Sequence, residues 1–600
     1  MGPDSHEQAA GLDVARGGEQ HGRRQPRGDS YKWLALSNTT LGALLATMDA
    51  SITIIAMPKI FRGIHLDPLQ PANSFYLLWM ILGYMIVGTV MIVSLGRLGD
   101  MFGRVRIYNL GFGIYTAASL LLAVDWMSGT AGADYLIAFR IVQGIGGACL
   151  MANGVAIVTD AFPANQRGMA LGINNIAALG GQFLGLVLGG VLVTVNWRLV
   201  FLISVPFGLF ATVWAYLKLE EVGHRRRARV DWWGNLTFAV GLVCLLVAVT
   251  YGIRPSGTHA TGWSSARVIT LLAAGISCLV AFVVIERRVE DPMFRLPLFR
   301  IRAFTFGTMS TFVVTLARGG LMFMLIIWLQ AIWLPRHGFD FDQVPLWAGI
   351  YMLPLSGGMM LSGPLSGYLS DRFGARPFAT GGALVIAASF ACLIALPINF
   401  SYFLFALVLG LNGFGNGLFS SPNRAAVMNS LPAQDRGAGG GMNQTFQTSA
   451  QVVSIGIFFT LMVGGLSATL PHTLMSGLTA HGVSASAADH AAHLPPVAIL
   501  FAAFLGFNPI GHLLSHHAIA SLAAGQRSLL TGRSFFPHLV SGPFHTALRE
   551  TFVFSIVICV LAGVASLMRG HRRPDLDQGD ADVATGRRQP GDGVAVARSA

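Results

Sequence analysis

Charged residues are scarce in this sequence: they make up 11% of its 600 residues. Soluble domains carry roughly a quarter charged residues, so this composition excludes a soluble multidomain protein. The five cysteines are an odd number and lie within apolar segments, which excludes a disulfide framework. None of the three lysines follows a glycine as a phosphate-binding loop requires, and this argues against an ATP-driven pump.

Catalytic and metal-binding patterns are missing as well. The sequence has no Gly-x-Ser-x-Gly motif, no His–carboxylate spacing suited to a metal ion and no appended soluble domain. A membrane enzyme or sensor is therefore disfavoured, and we expect no resident metal or cofactor. The net charge of +12 does not indicate nucleic-acid binding, because most arginines lie in loops between apolar segments.

Long apolar segments dominate instead, and 53% of the residues are hydrophobic. Because a membrane span needs about 20 apolar residues, we predict an all-α integral membrane protein with fourteen spans. Loops rich in arginine alternate with loops poor in it, so the positive-inside rule places both termini in the cytoplasm. We expect the protein to lie in a cell membrane, the inner membrane of a bacterium. The predicted spans are roughly 33–58, 73–95, 105–124, 134–160, 168–194, 198–218, 232–251, 266–285, 304–332, 344–369, 378–397, 401–428, 438–464 and 549–568.

Three pairs of similar segments recur about 270 residues apart and in the same order. Two duplicated halves around a central site are typical of secondary transporters. The pairs are "GRLGDMFGRVR" (96–106) with "GYLSDRFGARP" (367–377), "QGIGG" (143–147) with "NGFGN" (412–416), and "FPANQRGMALGINN" (162–175) with "LPAQDRGAGGGMNQ" (431–444). The predicted division is a disordered cytoplasmic tail (1–31), a six-span half (32–220), a linker with two extra spans (221–302), a second six-span half (303–570) and a disordered cytoplasmic tail (571–600).

An extracytoplasmic insertion is predicted at 465–548 within the second half. Its apolar core, 497–507, is too short to cross a membrane and favours a re-entrant or interfacial helix. We interpret its histidines, among them His512, His516 and His517, as solvent-facing residues of a cap; a metal site or pH sensor is the alternative.

The motifs resemble those of the major facilitator superfamily, in particular its fourteen-span drug:proton antiporter branch. "GRLGDMFGRVR" is similar to the loop signature between spans 2 and 3, and "RIVQGIGGA" (140–148) to the signature of span 4. "MDASITIIAMP" (48–58) and "NWRLVFLISVPFG" (196–208) resemble spans 1 and 6 of that branch. Span 5, "GQFLGLVLGGVL" (181–192), keeps the glycines of the antiporter signature but has Leu186 where that signature has proline.

Asp49 is the only carboxylate well inside a predicted span. It lies about 13 Å, and Arg140 about 9 Å, from the outer ends of their spans at 1.5 Å per residue, so the two residues share one half of the membrane. The resemblance implies that spans 1 and 4 both line the central cavity. Burial favours the neutral form of a carboxyl group and a nearby guanidinium favours the charged form, so Asp49 is predicted to bind and release a proton with Arg140 as its partner. The alternative is a structural ion pair that fixes helix packing.

The loop between spans 2 and 3 has a different predicted role. Gly96 and Gly103 permit a tight turn, and Asp100 is suited to the N-terminus of a helix, which the resemblance places in span 13 near Gly437. Arg104 would hold Asp100, and the whole loop would form a conformational latch. The corresponding residues of the second half are Asp371, Arg372 and Arg376. The alternative is a loop that only anchors two spans.

Two further groups of residues are candidates. Gly181, Gly185, Gly189 and Gly190 allow close helix approach, and the resemblance implies a bending, leak-tight interface between the halves; ordinary span packing is the alternative. A possible substrate cavity is lined by Gln143, Arg318, Met322 and Trp328, because methionine suits varied apolar ligands. Packing against lipid or neighbouring spans would explain the methionine and tryptophan equally well.

The leading functional prediction is proton-coupled export of apolar or amphiphilic small molecules by alternating access, driven by a proton gradient and performed by a monomer. The scarcity of acids within the spans favours neutral or weakly charged substrates over dications. A dedicated exporter of one metabolite or natural product is the alternative, and an uptake symporter is less favoured. The expected partners are the substrate, protons and the lipid bilayer, without nucleic acid.

Overall fold

The structure, a computed structural model, describes residues 28–568 except for 68–69, 71–72, 164–165, 223–230, 254–260, 290–291, 293, 433–435, 494, 507, 509, 511–513, 515–521 and 533. The predicted tails lie outside these residues, apart from 28–31, which belong to the first helix. His512, His516 and His517 also lie outside them.

Fourteen helices of the described chain are long and apolar enough to cross a membrane, as predicted. At 1.5 Å per residue, the shortest of them, with 20 residues, extends about 30 Å, the thickness of a bilayer core. Spans 1 to 14 are Ser30–Gly63, Phe75–Phe102, Arg104–Ala123, Gly129–Ala161, Met169–Val195, Leu199–Lys218, Trp232–Gly252, Ala266–Glu286, Arg302–Arg336, Val344–Ser370, Ala375–Ala395, Tyr402–Asn429, Ala438–Ala480 and Phe535–Leu567.

The last two spans are longer than their apolar cores. The helix of span 13 runs from Arg436 to Ala480 and that of span 14 begins at Phe535, so the segment between them comprises 481–534 and not 465–548. Hydroxyl side chains in these extensions bond to carbonyls one turn back, as Thr473 does to Thr469 at 3.0 Å. Such residues lower the apolarity of a helix without ending it. Hydropathy therefore places the end of span 13 too early and the start of span 14 too late.

The short helix Pro496–Phe504 of the insertion is buried along its whole length. Its Phe501 and Phe504 rings lie 6.0 Å from the ring of Phe459 and 6.2 Å from the ring of Phe323, respectively. The helix thus packs inside the protein, against spans 9 and 13. Of the two possibilities that the sequence favoured, this burial contradicts an interfacial helix, while a re-entrant helix stays a prediction.

The two extra spans bridge the halves at their periphery. Spans 7 and 8 pack on each other, and Ser94 of span 2 donates to the Asn235 side chain of span 7 at 2.5 Å. Beyond span 7, the Trp263 indole donates to Thr460 of span 13 at 3.2 Å. The linker therefore contacts both halves.

We call the face that carries Arg97, Arg104 and Arg372 the arginine-rich face. The halves meet chiefly on the opposite side: a Cβ at Gly190 would collide with Leu346, and one at Gly349 with the Leu186 main chain. Nearer the arginine-rich face, an exposed hydrogen bond of 3.4 Å from Arg424 to Asn175 joins the halves. Several glycines of spans 5, 10 and 13 have no atom within 4 Å of an added Cβ: Gly172, Gly180, Gly357, Gly363 and Gly441.

Candidate functional site

Asp49 and Arg140 form an ion pair in the interior of the N-terminal half. Their exposed fractions are 0% and 1%, and Arg140 Nη1 donates to Asp49 Oδ2. Span 1 supplies the acid and span 4 the base, so the structure brings together the two charges that the depth argument placed side by side. A buried charge at this depth is costly unless it is paired, which explains why the two occur together.

Gln143 completes the pair, one turn along span 4 from Arg140. Its Oε1 accepts from Arg140 Nη1 at 2.5 Å, while its Nε2 donates to Asp49 Oδ1 at 3.1 Å and to the Ser119 hydroxyl at 2.8 Å. Both carboxylate oxygens are therefore hydrogen-bonded. The sequence placed Gln143 in the substrate cavity; in the structure it is buried within this network.

An aromatic ring covers the other face of the guanidinium. Arg140 lies over the Tyr84 ring of span 2, with 4.5 Å from Cζ to the ring centroid, a cation–π geometry. Gly144 and Gly147 of the "QGIGG" motif make room for this tyrosine, because a Cβ at either would come within 3 Å of it. The glycines of the motif thus have a steric role, because they let span 2 approach the charged pair.

The network determines the energetic cost of binding a proton at Asp49. A proton on the carboxylate removes the only counter-charge of Arg140 among its described contacts and leaves a buried cation held by Gln143 and Tyr84. Such a state is costly, so protonation and a change in the surroundings of Arg140 are energetically coupled. This is the property that a coupling site needs, and a merely structural pair would share it.

The loop between spans 2 and 3 forms its contacts within the N-terminal half. Arg104 bonds to Asp100 at 2.7 Å and to Asp160, at the end of span 4, at 2.6 Å. Gly103 separates the two helices at φ 114°, a conformation that favours glycine. Among the described residues Asp100 pairs with Arg104 and not with span 13.

Glu221, which the sequence did not single out, caps span 3. Its Oε1 accepts from the Val105 main-chain nitrogen at 3.1 Å, in the position predicted for an acid at a helix N-terminus. The sequence analysis also did not single out Asp160. Glu221 and Asp160 are both acids near the ends of spans on the arginine-rich face, and this position is the only sequence signal that could have identified them.

The equivalent loop of the C-terminal half, between spans 10 and 11, contains Arg372, Gly374 and Arg376. Arg372 lies over the Tyr368 ring at 5.1 Å, and Gly374 has a φ of 81°. Arg376 lies in the first turn of span 11. The Asp371 side chain lies outside the described residues. Gly96 packs beside Ala152 of span 4, 3.7 Å from an added Cβ.

The span-5 glycines serve two different contacts. A Cβ at three of them would collide with the main chain or side chains of span 1, within the same half, and these are Gly181, Gly185 and Gly189. Gly190 alone faces the other half, against Leu346. The regular spacing thus packs span 5 against the helix that carries Asp49, while the interface between the halves involves Gly190 and Leu186.

The three span-9 candidates lie in different surroundings. Trp328 is fully buried in an aromatic cluster, 5.0 Å from the ring of Phe400, and does not face a cavity. Met322 accepts from Gln182 of the opposite half at 3.2 Å. Arg318 is partly exposed, and its Nε atom is buried without a hydrogen-bond partner.

Residues 39–455 match the family model described as Major Facilitator Superfamily. The chain belongs to this superfamily. Because the match extends over both halves, the duplicated plan, the span-4 motif and the loop motifs all lie within it. The chain is thus a major facilitator transporter embedded in a membrane, and not an enzyme, and it acts on a small molecule.

Similar proteins within the superfamily include transporters with different substrates. The chain is 29% identical to the riboflavin transporter RibZ of Clostridioides difficile over 73% of its length and 89% of that protein. It is 29% identical to the multidrug resistance protein Stp of Mycobacterium tuberculosis, over 73% and 78% of the two chains. It is 25% identical to the tetracenomycin C resistance and export protein of Streptomyces glaucescens, over 78% and 82%. The latter two relatives support the drug-efflux branch of the superfamily.

Proposed function

We propose that this protein exports apolar or amphiphilic small molecules across the cell membrane in exchange for protons, by alternating access. The observation that carries the proposal is the Asp49–Arg140–Gln143 network, a buried acid whose only charged partner among the described residues is one guanidinium. The names of two relatives, which refer to resistance or export, support efflux over uptake.

The mechanism links charge at Asp49 to the position of span 1. With Asp49 ionised, the network holds spans 1 and 4 together, and span 5 follows through its glycine contacts with span 1. When a proton binds, the charge attraction to Arg140 is lost, and its contacts with Gln143 and the Tyr84 ring remain. The weakened contact lets spans 1 and 5 shift, which changes the seal at Gly190 and Leu186.

The orientation of the protein is inferred from its arginines, which place the arginine-rich face and both termini in the cytoplasm. The close contacts of Gly190 with Leu346 and of Gly349 with Leu186 then lie on the outer side of the membrane. An exporter takes up its substrate in a conformation closed on the outer side, and an uptake symporter releases its substrate in the same conformation. The preference for export over uptake therefore rests on the names of the relatives.

The test is substrate-driven proton movement in liposomes that contain the purified protein and a pH-sensitive dye. We expect that Asp49→Asn abolishes proton movement while the protein stays folded, because asparagine keeps the shape but cannot change charge. The control is Asp489→Asn, an exposed acid of the insertion that should behave like the wild type. Proton exchange at the wild-type rate in Asp49→Asn would overturn the proposal.

A dedicated exporter of a single compound is the second candidate, because two relatives carry the name of one compound, riboflavin or tetracenomycin C. Drug susceptibility of cells with and without the protein separates the candidates. Resistance to several unrelated compounds indicates a multidrug exporter, and protection against one compound indicates a dedicated exporter. Accumulation of the compound in cells that contain the protein would indicate uptake.

A further inference from the structure

Arg318 is an intramembrane charge to which the proposed function assigns no role. It lies near the middle of span 9, at the end of the helix Arg302–Arg318. Its Nε atom is buried without a hydrogen-bond partner, and no described carboxylate forms an ion pair with it. The nearby Cys559 of span 14 is buried and supplies no negative charge as a thiol. A cation inside a membrane is costly and normally has a partner.

The duplicated plan shows how Arg318 relates to the coupling site. Gln143 donates to the Ser119 hydroxyl at 2.8 Å, and Asn412, its counterpart in the repeat, donates to the Ser389 hydroxyl at 2.7 Å. The two halves therefore keep the same amide–serine contact between equivalent spans.

Arg140 lies three residues before Gln143 in span 4, and Leu409 lies three residues before Asn412 in span 12. Where the N-terminal half has the arginine of its ion pair, the C-terminal half thus has a buried leucine. Arg318 lies instead on span 9, the first span of its half, as Asp49 lies on span 1. The first span of each half therefore carries an intramembrane charge, but only Asp49 has a charged protein partner among the described residues.

The backbone beside Arg318 is interrupted. The Ser454 hydroxyl donates to the Leu316 carbonyl at 2.6 Å and accepts from the Gly320 nitrogen at 2.9 Å, so it takes the place of one bond of the helix ladder. A guanidinium at the C-terminal end of a helix gains partial stabilisation from the dipole, equivalent to about half a charge. The remaining charge still lacks a counter-ion. Broken helices mark binding sites in other secondary transporters.

The segment that follows Arg318 contacts the other half. The Met322 sulfur accepts from Gln182 of span 5 at 3.2 Å. Arg318 lies four residues before Met322, on the other side of the interruption, and is itself partly exposed. An amphiphile that reaches Met322 between the halves would thus have a guanidinium four residues away along the chain.

We propose that Arg318 binds the anionic group of the substrate, and that the transported molecules are acidic amphiphiles with an apolar body and one carboxylate or phosphate group. This inference rests on the proposed function and narrows its substrate class from weakly charged compounds to acids. A bound anion completes the pair that the protein itself supplies at Asp49 and Arg140 in the other half.

The test is equilibrium binding in phosphatidylcholine nanodiscs without a proton gradient. The probes are the fluorescent acid dansyl-undecanoic acid and its uncharged amide. We expect the wild type to bind the acid about tenfold more tightly than the amide, the difference that one charged contact of about 1.4 kcal/mol provides. Arg318→Gln should lose this preference while its affinity for the amide stays unchanged, which also shows that the variant is folded. Arg318→Lys should keep part of the preference.

Two further arms complete the experiment. Arg267→Gln, which removes an arginine at the far end of span 8, should keep the full preference. Added phosphatidylglycerol should compete with the acid if lipid phosphate also occupies Arg318; absence of competition assigns the site to the carboxylate alone. Equal affinity of the wild type for acid and amide, or an unchanged preference in Arg318→Gln, would overturn the inference. Asp49→Asn should retain binding, so failure of proton coupling and failure of this inference are distinguishable.

Discussion

Removing Arg140 without Asp49 is expected to destabilise the protein far more than removing both charges. Arg140→Met deletes the ion pair, the 2.5 Å bond to Gln143 and the contact with the Tyr84 ring, and it leaves a carboxylate with an exposed fraction of 0%. Breaking a buried pair on one side typically costs about 3–5 kcal/mol, because the remaining charge is uncompensated.

The double variant Asp49→Asn/Arg140→Met leaves no uncompensated charge. It loses hydrogen bonds but no longer buries an ion, so we expect it to be more stable than Arg140→Met by roughly 2–3 kcal/mol. The measurement is unfolding of the purified variants in mixed detergent micelles, at neutral pH, followed by tryptophan fluorescence.

The refuting result is additivity. If the single variants sum to the double variant within about 0.5 kcal/mol, the two charges do not interact as the structure shows.

Two predictions concern packing near the site. Gly185→Leu should disrupt the contact with Met48 of span 1 and lower the stability of the protein by more than the roughly 1–3 kcal/mol typical of overpacking. Gly172→Leu, at a position with no atom within 4 Å of an added Cβ, should fold normally. Thermal stability of the two variants in detergent checks this difference, and a stable Gly185→Leu variant would contradict it. Glu221→Ala should remove the cap of span 3 and lower stability by about 1 kcal/mol, measured in the same way. An unchanged Glu221→Ala variant would show that the cap contributes nothing.

The number of spans could be predicted because each apolar core is long and separated by polar loops. The ends of spans 13 and 14 could not, because serine, threonine and histidine continue a helix beyond its apolar core without a sequence signal. The insertion helix Pro496–Phe504 was expected to be re-entrant or interfacial; it is buried because it packs against spans 2, 9 and 13, which depends on tertiary packing.

The proximity of Asp49 and Arg140 could be predicted from depth, since two intramembrane charges of opposite sign stabilise one another. The hydrogen bond of Gln143 to Asp49 could not be predicted, because the two residues lie 94 positions apart in the sequence. The spacing of the span-5 glycines indicated one close-packed face but not which helix it contacts. In the structure that helix is span 1, and only Gly190 reaches the other half.

The most direct measurement is infrared difference spectroscopy of the protein in lipid, with and without substrate, across a pH series. If Asp49 carries the proton, substrate binding changes a carboxylic-acid carbonyl band in the wild type, and the band is missing in Asp49→Asn. A spectrum without such a band, or with the same band in Asp49→Asn, would contradict the account.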